Sequence, residues 1–430
     1  MRVELREISP GRGSNMAISM GVISRMILYS LIFIANREAA VGAASIGVNY
    51  GRIADNLPSS NQVVQLLVSQ NIDKVKIYDA NAEFLQALAN SGVSVMMMVP
   101  NELIQSIASS PSQAQVWINS NVLPYLPNTK ITTIMVGNEI LTGADPTLIP
   151  QLLPAMKNLY NSLEAAGLAQ RIKITTPHAL NVLDPNSSFP PSSGAFQPSL
   201  ASSVMQPLLD FLAQTQSVFM LDVYPYFAYK ADNGQHISLD YALFGTNSTG
   251  QDDPNTGLHY FNLFDAQMDA VYSAMSKLNH SDLQIVVSET GWPSAGAADD
   301  LGATLDNAAA YNRNLLRHVL ANPPPGTPLK PGVAIDTYIF ELFNEDLKPG
   351  DLIEKNFGLF YPNMTKVTYV SFSVDGSTSP GISASNAASS NKRLTGHNGF
   401  CLLCLVWCME QILWNYLVLR PEESVRHAIH

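Results

Sequence analysis

The sequence predicts a (β/α)8 barrel, and three observations carry that expectation. Eight short apolar runs alternate with longer segments of helical pattern over about 300 residues. The runs are continuously apolar, as strands covered on both faces are. Two of them stop on a glutamate, Glu139 in ITTIMVGNE (131–139) and Glu289 in LQIVVSETGWP (283–293). A parallel barrel delivers polar side chains to one site in this way, at the C-terminal ends of its strands.

The first strand is SIGVNYG (45–51), closed by Tyr50 and followed by the helical pattern NQVVQLLVSQ (61–70). KVKIYD (74–79) is the second, ending on Tyr78 and Asp79 ahead of AEFLQALANSG (82–92). SVMMMVP (94–100) is the third, and the fourth ends on Asn138 and Glu139 before the helical stretch 146–167. IKITTPHAL (172–180) carries His178 at the end of the fifth, and SVFMLDVYPY (217–226) carries Tyr224 and Tyr226 at the end of the sixth. Helical segments 261–278 and 307–322 flank the seventh, which ends at Glu289. GVAIDTYIFELF (332–343) is the eighth and leads to Phe340, Glu341, Phe343 and Glu345. Two insertions, 181–200 and 227–258, are rich in Pro, Gly, Ser and Asn; at strand tops they would wall a cleft.

With 430 residues, 46% hydrophobic and 14% charged, the chain can bury a large core. Its net charge of −11 argues against nucleic acid or an anionic membrane surface as partner, and is compatible with a neutral substrate. Residues 1–45 read as a leader: Arg25 precedes the apolar segment 26–35, and small residues at 41–45 resemble a cleavage site, so the mature chain is expected to begin near Ile46. The apolar segment is short for a bilayer span, and initiation at Met16 or Met20 would give a leader of ordinary length. Cys401, Cys404 and Cys408 are the only cysteines, so residues 46–400 must hold together by core burial, and no metal site is expected. Sequons at Asn186, Asn247, Asn279 and Asn363 fit secretion.

Two carboxylates facing one bond suggest glycoside hydrolysis. Either glutamate alone could equally cap a helix or pair with an arginine. Their surroundings favour chemistry: the Asn138 amide can bond a sugar hydroxyl, and Trp292, after Thr290 and Gly291, offers a stacking surface for a pyranose. Tyr50, Tyr78, Tyr224 and Phe343, gathered at one end of a barrel, would add aromatic walls to a polysaccharide groove.

Six motifs in order resemble the plant glucan endo-1,3-beta-glucosidases of glycoside hydrolase family 17. They are IGVNYGRIADNLP (46–58), KIYDAN (76–81), VGNE (136–139), VYPYF (223–227), SETGWPSAG (288–296), and FNEDLKPG with FGLFYPN (343–363). The resemblance covers 46–371 and implies a (β/α)8 barrel and retaining endo-hydrolysis of β-1,3-glucans such as callose or laminarin. It implies Glu139 as acid/base and Glu289 as nucleophile, with Asn138, Tyr78 and Tyr224 in the cleft and Glu345, Lys348 and Glu354 as a charged group beside it. A glucan-binding wall protein or a transglycosylase of low hydrolytic activity is the alternative. No cofactor or metal is expected, since acid, nucleophile and water suffice, and the chain is expected to act as a monomer outside the cell.

Beyond 371 the resemblance fades. Residues 372–399 read as a Ser/Gly/Asn-rich linker. The apolar segment within 400–430, followed by a charged ending, reads as a GPI-type anchor signal, a marginal transmembrane helix or an incorrect gene model.

Overall fold

A computed structural model describes residues 44–372, apart from Ala144. Nearly all of the expected leader, the linker beyond Phe372 and the C-terminal segment with its three cysteines lie outside the described residues.

Parallel strands form one ring: β1 (Ile46–Tyr50), β2 (Lys74–Ile77), β3 (Ser94–Val99), β4 (Lys130–Val136), β5 in two pieces (Lys173–Thr175 and Pro177–Ala179), β6 (Phe219–Asp222), β7 (Ile285–Thr290) and β8 (Thr337–Ile339). Neighbours in sequence are neighbours in the sheet, and β8 returns to pair with β1, with Ile46 opposite Thr337. The two pieces of β5 divide the remaining work, the first pairing with β4 and the second with β6. Thr176 is the joint, and its hydroxyl donates to the Val136 carbonyl at 2.8 Å. Nine segments therefore occupy eight barrel positions, as the sequence pattern predicts.

Helices follow the strands where the apolar period changes: α1 (Ser60–Ser69), α2 (Ala82–Ala87), α3 (Asn101–Ser109), α4 (Pro111–Asn121), α5 (Ile149–Ala165), α6 (Gln206–Gln214), α7 (Pro225–Asp232), α8 (Leu263–Lys277) and α9 (Leu305–Val319). Several are started by side chains that accept from an otherwise unpaired backbone N–H: Asn81 from Phe84, Asn262 from Asp265 and Thr304 from Asn307. The sixth and eighth strands are shorter than their apolar runs. Pro225 opens α7 directly after Tyr224, which places Tyr226 inside a helix and makes the start of the 227–258 insertion helical. The two insertions are tied together where Asp253 accepts from both the backbone and the hydroxyl of Ser192, each at 2.8 Å.

Inside the ring the side chains lie in layers. Met96 and Met98 of β3, Met135 of β4, Met220 of β6 and Tyr338 of β8 form one buried apolar cluster with Val286 packed against it. Towards the C-terminal ends comes a polar layer of Asn49, Lys76, Asp222 and Ser288, all at most 2% exposed. A bulge in β7 adds to it. Val287 pairs with Leu221, but the next partners are Glu289 and Asp222, so one extra residue is inserted. Strand alternation would send Ser288 and Glu289 to opposite faces. The bulge lets both reach the interior, where the Ser288 hydroxyl donates to Asp222 and Glu289 accepts from Lys76.

Candidate active site

The cleft sits where the strand pattern places it, over the C-terminal ends of the barrel strands, with a volume of about 520 Å³. It is lined by Gly51, Arg52, Ile53, Tyr78, Asn138, Glu139, Tyr224, Phe227, Glu289, Phe340, Glu345, Lys348, Glu354 and Phe357. Both expected glutamates face it, and so do Asn138, Tyr78, Tyr224, Glu345, Lys348 and Glu354.

Glu139 is presented by a strained turn. Gly137 has φ of +69°, and a Cβ there would lie 2.6 Å from Ile104 and Ile140. Glu139 itself has φ of +50°, a conformation that a non-glycine residue seldom adopts without tertiary support. That support comes from its neighbours: the Glu139 amide donates to the Pro177 carbonyl, and the Asn138 amide to the Asn101 side chain at 2.8 Å.

Glu289 is 6% exposed and held by three donors. Lys76 Nζ and the Tyr78 hydroxyl both reach Oε1 at 2.7 Å, and the Tyr224 hydroxyl reaches Oε2 at 2.9 Å. Burial alone would raise this carboxyl, but the charge and hydrogen bond of Lys76, the Tyr78 hydroxyl and the more distant Lys348 hold it below its usual range. The environment of Glu139 acts in the other direction. Burial, followed by the nearby negative charge of Glu289, lifts its carboxyl to about 7, against the opposing effects of Lys76 and a hydrogen bond with Asp222. The site thus pairs one carboxyl that keeps its proton with one that does not.

The second charged group is partly buried. Glu345, 1% exposed, accepts from the Ile53 amide at 2.5 Å and pairs with Lys348 at 3.3 Å. Lys348 lies 4.0 Å from the Phe340 ring centroid. Beside them Glu341 is fully buried, and burial, with the neighbouring Glu345 carboxyl, raises its carboxyl well above the usual range. Gly51 makes room for this group, since a Cβ there would lie 2.5 Å from Glu345 Oε1.

Three expected substrate contacts are corrected. Trp292 is 1% exposed and packs among Tyr226, Tyr311 and Tyr229, while its indole N–H donates to the Gly302 carbonyl. The chain turns at Gly291, packed against the Phe340 carbonyl, and the indole enters the core behind the cleft. Tyr50 lies on Phe84 with ring centroids 4.9 Å apart, and Phe343 packs on Tyr50 and Phe360; neither lines the cleft. His178 stacks on Phe219 in the layer between barrel and helices, 4.8 Å between centroids, where burial lowers its basicity to about 3. The aromatic wall is instead Phe227, Phe340 and Phe357 around Tyr224. Phe227 stands within the VYPYF motif and Phe357 opens FGLFYPN, so both were visible in the sequence. Lys76 and Asp222 also escaped the sequence reading.

The family model for Glycosyl hydrolases family 17 matches residues 46–372. The chain belongs to that family. As a family 17 glycosyl hydrolase it is 46% identical to glucan endo-1,3-beta-glucosidase 14 of Arabidopsis thaliana, over 80% of this chain and 86% of that protein. It is 44% identical to a glucan endo-1,3-beta-D-glucosidase of Olea europaea, over 79% and 72% respectively. Among solved structures it is similar to CJP38, a beta-1,3-glucanase and allergen of Cryptomeria japonica pollen, with a TM-score of 0.72, 46% identity, and coverage of 77% of this chain and 100% of that one. A plant beta-glucan endohydrolase structure matches with a TM-score of 0.68 and 40% identity, over 75% of this chain and 99% of that one. In this family 17 enzyme the four sequon asparagines, Asn186, Asn247, Asn279 and Asn363, are exposed.

Proposed function

We propose that this enzyme cuts internal β-1,3-glucosidic bonds of glucans with retention, through a covalent glycosyl-enzyme. The observation that carries the reading is the opposed protonation of Glu139 and Glu289 in one cleft. Glu139 gives its proton to the departing glycosidic oxygen while Glu289 attacks the anomeric carbon; water then displaces the enzyme, with Glu139 as base. Oε1 of Glu289 carries two hydrogen bonds and Oε2 one, so Oε2 is the freer oxygen and the attacking one. Asn138 lines the cleft beside Glu139, where its amide can bond a sugar hydroxyl. Phe227, 39% exposed, supplies a face for a pyranose ring. The leader and surface sequons support action outside the cell, on wall glucan, with the C-terminal segment as a means of attachment to the outer membrane face.

Products from laminarin and from a mixed β-1,3-1,4-glucan test the reading. A ladder of short β-1,3 oligosaccharides, released first as the β-anomer, is expected from laminarin. Cleavage confined to the mixed-linkage polymer, or an initial α-anomer, would overturn it, and products longer than the substrate would identify a transglycosylase.

The pH profile follows from the same two groups. Glu139 must be protonated to act as acid, so kcat/KM should fall as pH rises through about 7. Glu289 must be ionised, so the acid limb should lie below the ordinary glutamate value of 4.5. A profile still rising at pH 8 would remove Glu139 from the acid role.

A further inference from the structure

Asn49, in the polar layer under the cleft, has no part in the scheme above. It belongs to β1, is fully buried, and pairs with Lys76 of β2 in the sheet register, so both side chains point into the ring. Its Nδ2 reaches two oxygens, the Ser288 carbonyl at 2.9 Å and the Tyr78 hydroxyl at 3.1 Å. A carbonyl oxygen can only accept, so the atom facing Ser288 must be the amide nitrogen, and the same nitrogen donates to Tyr78. Tyr78 in turn stands 2.7 Å from Oε1 of Glu289.

These contacts fix the direction of one hydrogen. A phenol carries a single O–H hydrogen and two lone pairs. With an Asn49 N–H on one lone pair, the Tyr78 hydrogen is turned from Asn49 toward Glu289, whose ionised oxygens only accept. The reverse orientation would set the O–H against an N–H and leave Oε1 facing a lone pair. The other amide hydrogen goes to Ser288, the residue at the β7 bulge that brings Glu289 into the ring. A plain tie between β1 and β7 would need the Ser288 contact alone.

Resting on the reading of Glu289 as nucleophile, we propose that Asn49 is a positioning residue: its amide orients the Tyr78 hydroxyl as a donor to Glu289, which holds the ionised carboxylate at Oε1 and leaves Oε2 to attack. An N–H donated to a phenol oxygen also makes that phenol a better donor, so the two bonds reinforce each other. Burial raises Glu289, while Lys76, through its charge and hydrogen bond, and then the Tyr78 hydroxyl lower it, with a net effect downward. The charges facing Glu289 are Lys76 of β2 and Lys348 after β8, with the carboxyls of Glu139, Asp222, Glu341 and Glu354. A neutral substitution at Asn49 keeps all of them in place.

The test is a double-mutant cycle read as kcat/KM against pH on laminarin, for wild type, Asn49→Leu, Tyr78→Phe and the double variant, with thermal melts alongside. Leucine is close to asparagine in size and donates nothing. In the wild-type background it should move the acid limb up by about half a unit to one unit, with kcat reduced about threefold and KM little changed. In the Tyr78→Phe background there is no hydroxyl to orient, so the same substitution should leave the limb where Tyr78→Phe alone puts it. An equal shift in both backgrounds would make Asn49 a structural tie acting through Ser288 and overturn the proposal, as would a limb that Asn49→Leu does not move. Asn49→Ala, smaller and also without a donor, carries the same comparison if the leucine variant does not fold. Glu289→Gln tests the underlying reading separately: full activity there removes the nucleophile, whereas an unmoved acid limb in Asn49→Leu tells against Asn49 alone.

Discussion

Glu289→Gln loses laminarin cleavage by a factor on the order of 10⁴ or more, because the amide has no anionic oxygen to attack the anomeric carbon. The loss falls on kcat. An amide oxygen still accepts from Lys76 and Tyr78, the two groups at 2.7 Å from Oε1, so the cleft keeps its shape and KM stays near that of wild type. Steady-state kinetics on purified variant, with a thermal melt to show that the barrel is intact, make the measurement. Equal activity of wild type and variant would displace Glu289 from the reaction altogether.

Lys76→Met has the second largest effect, and it reaches both activity and stability. Lys76 is wholly buried, and its ion-pair partner is Glu289. Leaving one partner of such a pair uncompensated costs about 3–5 kcal/mol, unless the carboxyl takes up a proton. Either outcome harms the enzyme: a protonated Glu289 cannot attack, and kcat falls roughly 10²- to 10³-fold at neutral pH. The sign of the stability effect follows from linkage. Glu289 lies below its unfolded value of 4.5 in the folded protein, so its contribution is present above that value and lost as pH falls through the lowered one. Melting temperatures of wild type and Lys76→Met should therefore differ most near pH 7 and converge in acid. Lys76→Met with Glu289→Gln, which removes both charges, should recover most of the lost stability. A single variant as stable as wild type at pH 7 would show that the pair holds no net energy.

The barrel and its two glutamates were legible because each depends on a local signal: the length of an apolar run, and the residue that ends it. The same signal was present a third time in MLDVYPY, where Asp222 also closes an apolar run, but the tyrosines after it drew the reading onward. Lys76 was hidden differently. In KVKI it reads as the solvent-facing half of an alternating strand, and only closure of the ring turns that face inward. The bulge at Ser288 has no sequence mark, yet it is what lets consecutive residues share the interior. Trp292 was misplaced because adjacency to a catalytic residue says nothing about direction; one turn at Gly291 moves the ring from cleft to core.

The methionine layer under the polar residues also decides where protons can travel. Met96, Met98, Met135 and Met220, with Tyr338, put a buried, largely apolar layer inside the barrel beneath Lys76 and Asp222. Proton exchange with bulk solvent must then use the open mouth that also admits the glucan. A sugar chain that fills that mouth closes this route, so Glu139 and Glu289 begin the reaction with the protonation they had when the substrate arrived.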